Sequence, residues 1–169
     1  PMVGCLIVHN DSIIGEGYHT KYGNPHAEVE AVNSVKDKNL LKNSILYVNL
    51  EPCSHFGKTP PCTSLIIENK IPKVVIATLD PNPIVKGEGV QTLIKHGVQV
   101  KTTICETEAK MLNKRFFTFY KKKRPYIILK WAQTKDGFID IVRKNDTPQI
   151  NWISNKYSKQ LVHKWRAEE

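Results

Sequence analysis

Over the first hundred positions, apolar runs alternate with amphipathic stretches. "VGCLIVH" (3–9) and "IIGEGYH" (13–19) predict the two strands of a hairpin, because Asn10 and Asp11 between them favour a turn. "HAEVEAVNSV" predicts a helix with Asn24 as its cap and Pro25 at its first position. "ILYVNL" (45–50) predicts a short buried strand, followed by a loop and a helix over "CTSLIIEN". The alternation continues through the strand "KVVIATL" (73–79), the turn "DPNP", the helix "GVQTLIKHG" and a strand in "VQVKTTI" (98–104). Strands joined through helices imply a parallel arrangement with helices packed on the faces, hence an α/β fold.

Residues 106–120 predict one further helix, with Ala109, Leu112, Phe116 and Phe119 at helical spacing and Met111 and Tyr120 widening the stripe that packs on the sheet. A basic run and Pro125 then mark a boundary. "RPYIILKWAQTKDGFI" reads as a fresh strand and turn, and "WISNKYSKQLVHKWRAEE" begins a helix capped by Ser154. Residues 125–169 are too few for an independent core. There is no internal repeat and no low-complexity segment.

Composition narrows the class. Of 169 residues 40% are hydrophobic and 24% charged, as in a globular protein, and no apolar run approaches a membrane span. The start, "PMVGCLIVHN", has no signal-peptide pattern, which predicts a reducing, cytoplasmic setting where paired cysteines are more often metal ligands or plain thiols than disulfides. The net charge of +9 lies wholly in residues 114–169, since basic and acidic residues balance in residues 1–113. A nucleic-acid footprint would surround the reactive site. Here the basic residues Lys121–Arg124 read as a solvated helix end, so no nucleic-acid or membrane partner is expected.

The chemistry gathers in "PHAE" (25–28) and "EPCSHFGKTPPC" (51–62). His26 falls in the first turn of its predicted helix, Cys62 in the first turn of another, and Cys53 just past a strand. A first turn carries free N–H groups and positive dipole, which favour the metal-binding thiolate. One histidine and two cysteines leave a fourth tetrahedral position open, as in catalytic zinc sites. Glu28 starts a stripe with Ala31, Val32 and Val35, and partial burial there would raise its pKa and suit it to pass protons. Zinc deaminases share an H-x-E followed by P-C-x-x-C; this chain matches both parts except that eight residues separate Cys53 from Cys62. His55 as a fourth ligand would close the site and make it structural. Cys5 and Cys105 read as buried reduced thiols.

In that order, "MVGCLIV", "IIGEGYH", "HAEVEA", "EPCSHFGKTPPC" and "DPNP" resemble the bifunctional riboflavin-biosynthesis deaminase/reductase family. The wide cysteine spacing separates it from cytidine and tRNA adenosine deaminases. The resemblance implies a cytidine-deaminase-like three-layer α/β/α sandwich over residues 1–122, the first helix missing, and the truncated start of a dihydrofolate-reductase-like domain over 123–169. It implies zinc held by His26, Cys53 and Cys62, Glu28 as proton shuttle, and substrate contacts from His19, Lys58 and Asn82. Lys130 matches the reductase substrate site, which uses NADPH. The implied substrate is 2,5-diamino-6-ribosylamino-4(3H)-pyrimidinone 5′-phosphate. A nucleoside or nucleic-acid zinc deaminase and a non-catalytic zinc-stabilised module are the alternatives, and assembly of identical copies is left open. The chain begins at Pro1, inside the family's "PNP-x-VG", and is expected to be a piece of a longer protein.

Overall fold

Asn10 and Asp11 both take left-handed backbone, φ 46° and 56°, and this tight turn joins strands β1 (Gly4–His9) and β2 (Ser12–Tyr18). The computed structural model describes residues 1–57, 59–83, 85–142 and 150–167. The predicted strands appear as β3 (Ile45–Val48), β4 (Lys73–Ile76) and β5 (Gln99–Lys101), each shorter than its apolar run. The sheet order is β2-β1-β3-β4-β5. β1 is antiparallel to β2 and β3, whereas β3, β4 and β5 are parallel, so the sheet is mixed.

Register explains the core. Ile7, Leu46 and Val74 align across β1, β3 and β4 and are fully buried. Their neighbours Leu6, Tyr47 and Val75 form the row on the other face, where Leu6 and Tyr47 remain 38% exposed. Helices α1 (Ala27–Ser34), α2 (Cys62–Glu68) and α3 (Glu88–Lys95) contribute Ala31, Ile66 and Leu93 to the core with the buried row. Each such fully buried aliphatic side chain is worth about 1.5–3 kcal/mol. A cavity of about 1290 Å³ lies against the other row and is bordered by Ile104 and Leu112.

α1 sits directly on β2 because Gly17 has no side chain: a Cβ there would run into the backbone of Ala27 and Ala31. Gly17→Ala is therefore expected to cost about 1–3 kcal/mol by overpacking and to weaken zinc retention, since α1 follows His26. Denaturant melts with and without zinc check both.

Four expected details are corrected. α1 begins at Ala27 with His26 as its N-cap in extended backbone, so His26 lies just before the first turn. Asn24 does not cap it and instead donates to Thr20 Oγ1 at 3.0 Å. The single helix over 106–120 is two, α4 (Glu106–Leu112) and α5 (Lys114–Lys122), broken at Asn113. Asn113 is buried because its amide holds both the N–H and the carbonyl of Met2, at 2.7 and 2.8 Å. The buried side therefore runs Ala109, Asn113, Phe117, leaving Leu112, Phe119 and Met111 47–66% exposed. Cys105 is exposed, contrary to expectation, as the N-cap of α4.

The chain divides into two compact units, Pro1–Tyr126 and Ile127–Glu169. In the second, Thr134 and Phe138 close a turn, and helix α6 (Lys156–Ala167) is capped by Asn155, whose Oδ1 accepts from Ser158 N at 2.9 Å, not by Ser154. The expected strand near 126–131 is not formed among the described residues. A strand needs a neighbour for its backbone groups. No helix among the described residues is long and apolar enough to cross a membrane.

Candidate metal centre

Pro25 precedes an extended His26, whose carbonyl accepts the N–H of Glu30 while its ring turns towards two sulfurs. His26 Nδ1 lies 3.5 Å from Cys53 Sγ and 3.3 Å from Cys62 Sγ. Cys62 is the first residue of α2, after Pro61, and its free N–H points at Cys53 Sγ at 3.4 Å. The next N–H, of Thr63, donates to the Cys53 carbonyl. The loop after β3 and the start of α2 are thereby tied to one another. Among the described residues, His26, Cys53 and Cys62 form the one group of at least three His, Cys, Asp or Glu donors close enough to hold a metal ion.

The spacing fits zinc. Zn–S and Zn–N bonds of about 2.3 and 2.0 Å in a tetrahedron set N···S edges near about 3.5 Å, and the measured separations agree. All four cysteines are free thiols, so no disulfide competes for the sulfurs. His55 is not part of the group, and among the described residues a fourth position is left open.

Electrostatics favour charge on one sulfur, that of Cys53. The hydrogen bond from the Cys62 thiol, reinforced by His26 and the Cys62 N–H, holds the Cys53 thiol well below its ordinary range. Cys62 moves the opposite way for the same reason, as donor to its neighbour. The His26 pKa is raised, chiefly by its hydrogen bond to Cys53. Glu28, 3% exposed, is buried more deeply than the edge position its sequence stripe suggests. Burial pushes its carboxyl above the ordinary range, and it touches the Cys62 side chain. Cys5 is buried in β1, and burial raises its thiol.

The other predicted positions separate. His19 stacks edge-on against His26, ring centroids 5.6 Å apart, with its Nδ1 3.0 Å from the Pro25 carbonyl. Asn82 lies in the loop after β4, its N–H donating to Asp80 Oδ1 at 2.7 Å. Lys58 lies outside the described residues. Lys130 is exposed in the second unit. Sequence reasoning passed over Glu51, which is 4% exposed; the available signal was an acidic residue directly before Pro52-Cys53.

The family profile described as cytidine and deoxycytidylate deaminase zinc-binding region matches residues 1–78, which places a zinc-binding deaminase fold around the His26, Cys53 and Cys62 group. A "Riboflavin biosynthesis protein RibD" of Aquifex aeolicus is 48% identical over 99% of this chain and 46% of its own length. A "Diaminohydroxyphosphoribosylamino-pyrimidine deaminase" of Buchnera aphidicola subsp. Schizaphis graminum is 51% identical over 69% of this chain and 78% of its own. A solved Thermotoga maritima deaminase/reductase superposes with TM-score 0.84 at 44% identity, over 97% of this chain and 46% of that one. The chain belongs to the riboflavin-biosynthesis deaminase family. It spans about half the length of the RibD relatives it matches.

Proposed function

We propose that the chain carries the deaminase activity of riboflavin biosynthesis: hydrolysis of the 2-amino group of 2,5-diamino-6-ribosylamino-4(3H)-pyrimidinone 5′-phosphate, releasing ammonia. The observation that carries this reading is the buried, non-ligating Glu28 beside a three-donor group with an open fourth position. His26, Cys53 and Cys62 would hold zinc, which supplies the Lewis acidity that makes water nucleophilic near neutral pH. Glu28 accepts the proton of the attacking water. It passes that proton to the ring nitrogen, then takes the remaining hydroxyl proton of the tetrahedral adduct and gives it to the departing amine as the C–N bond breaks and the carbonyl forms. His19, against the His26 ring, and Asn82 orient the pyrimidine, and Lys58 meets the phosphate.

The second unit and Lys130 belong, in this reading, with a reductase such as the one that gives the Thermotoga deaminase/reductase the second half of its name. NADPH would serve that step in the longer parent. A reducing, cytoplasmic setting suits four free thiols. Residues 1–113 carry no net charge, which favours a small phosphorylated pyrimidine over a nucleic acid.

Ammonia release from the diaminopyrimidine phosphate, run beside cytidine, dCMP and tRNA, tests the reading. Turnover of the first alone is expected. Turnover of tRNA or dCMP without it would overturn the assignment.

A further inference from the structure

Glu51 is a buried carboxylate with no metal or proton-transfer duty in the reaction above. It follows β3, two residues before Cys53, and its own N–H donates to the Thr78 carbonyl beyond β4. Its two oxygens accept four backbone N–H groups. Oε2 takes those of Asp80 and Gly87, at 3.1 and 3.0 Å. Oε1 takes those of Gly89 and Val90, at 3.0 and 3.3 Å. One oxygen thus closes the 80–87 loop at both ends, and the other caps the first turn of α3, which has no side-chain cap of its own. Inside that loop Asp80 holds the Asn82 N–H, and the Asn82 carbonyl accepts from Val85 and Lys86. The fit is close: a Cβ at Gly89 would run into the Pro52 carbonyl.

We propose that Glu51 is a positioning residue whose carboxylate fixes the Asn82 loop against the Cys53 loop and thereby sets substrate affinity. This rests on the reading of Asn82 as a substrate contact. Only a carboxylate offers two acceptor oxygens. A glutamine would turn its NH₂ group towards one pair of N–H donors, releasing either the loop closure or the α3 cap.

The test compares E51Q, N82A and the double variant as zinc-loaded chains, by ammonia release from the diaminopyrimidine phosphate and by amide hydrogen exchange. E51Q is expected to raise KM by about tenfold or more with kcat lowered less than about threefold and zinc content unchanged. The double variant should be no worse than N82A, because both act through one group. Exchange should quicken at Asp80, Gly87, Gly89 and Val90 and stay unchanged in β1 and β3. An unchanged KM, a kcat loss as large as the KM change, or additive effects in the double variant would overturn the inference. If E51Q does not fold, E51D, whose carboxylate is one methylene too short to reach both pairs of N–H donors, is read by the same criteria. A wild-type chain that releases no ammonia overturns the functional reading instead; unchanged exchange at the four amides then decides against the clamp, and faster exchange for it.

Discussion

Glu28→Gln should keep its full complement of zinc and lose turnover by about 10²- to 10⁴-fold, the range a positioned acid–base group contributes. Burial is the cause. Glu28 sits in the first turn of α1 between Ala27 and Ala31, both fully buried, and is itself 3% exposed. Its carboxyl is pushed upward by loss of water, the direction that suits a group that takes up a proton and hands it on. Glutamine has the same shape and keeps the packing, but can neither accept nor return a proton. Because Glu28 is not one of the three donors, zinc content by metal analysis should not change. Removing a buried charge should leave the melting temperature equal or higher. KM should change little, since Glu28 is assigned to proton transfer and not to holding the substrate. Turnover near the wild-type rate would remove Glu28 from the mechanism, and loss of zinc would make it a ligand.

Why the sequence singled out His26, Cys53 and Cys62, which the structure brings together, follows from where they lie. Cys62 follows two prolines, and Pro61 cannot extend a helix backwards, so α2 starts at Cys62 as expected. The hairpin was legible because Asn10 and Asp11 tolerate positive φ. α1 was misplaced by two residues because Asn24 resembles a cap, whereas its amide serves Thr20. That difference has chemical consequences: the extended backbone at His26 lets its ring cross to the sulfurs. The break at Asn113 was hidden because its partner, Met2, is 111 residues away. Glu51 escaped for a similar reason, since its four donors lie 29 to 39 residues downstream. Local pattern carries capping and periodicity, and it carries nothing about which distant N–H groups a buried carboxylate will meet. Residues 126–131 show the converse limit. Their composition favours a strand, but a strand forms only where another supplies its hydrogen bonds.

Cys53→Ala should abolish zinc binding and with it most of the stability that zinc confers on the first unit. Cys53 makes three contacts across the fold: its sulfur meets His26 before α1 and the N–H of Cys62 at the start of α2, and its carbonyl meets the N–H of Thr63 in the same turn. With the sulfur gone, two donors remain, fewer than a stable protein zinc site uses. An ion that binds only the folded chain stabilises it by about 2.7 kcal/mol at a hundred times its dissociation constant. For a chain of this size that corresponds to a melting shift of about 5–10 °C. Wild-type protein should therefore melt lower by about that amount after chelation and recover when zinc is restored. The Cys53→Ala chain should melt at one temperature with or without chelator, carry no zinc and release no ammonia. Cys105→Ala, at an exposed thiol in α4's cap, controls for cysteine loss and should behave as wild type. A Cys53→Ala chain that still bound one zinc per molecule and still responded to chelator would show that the ion is held elsewhere.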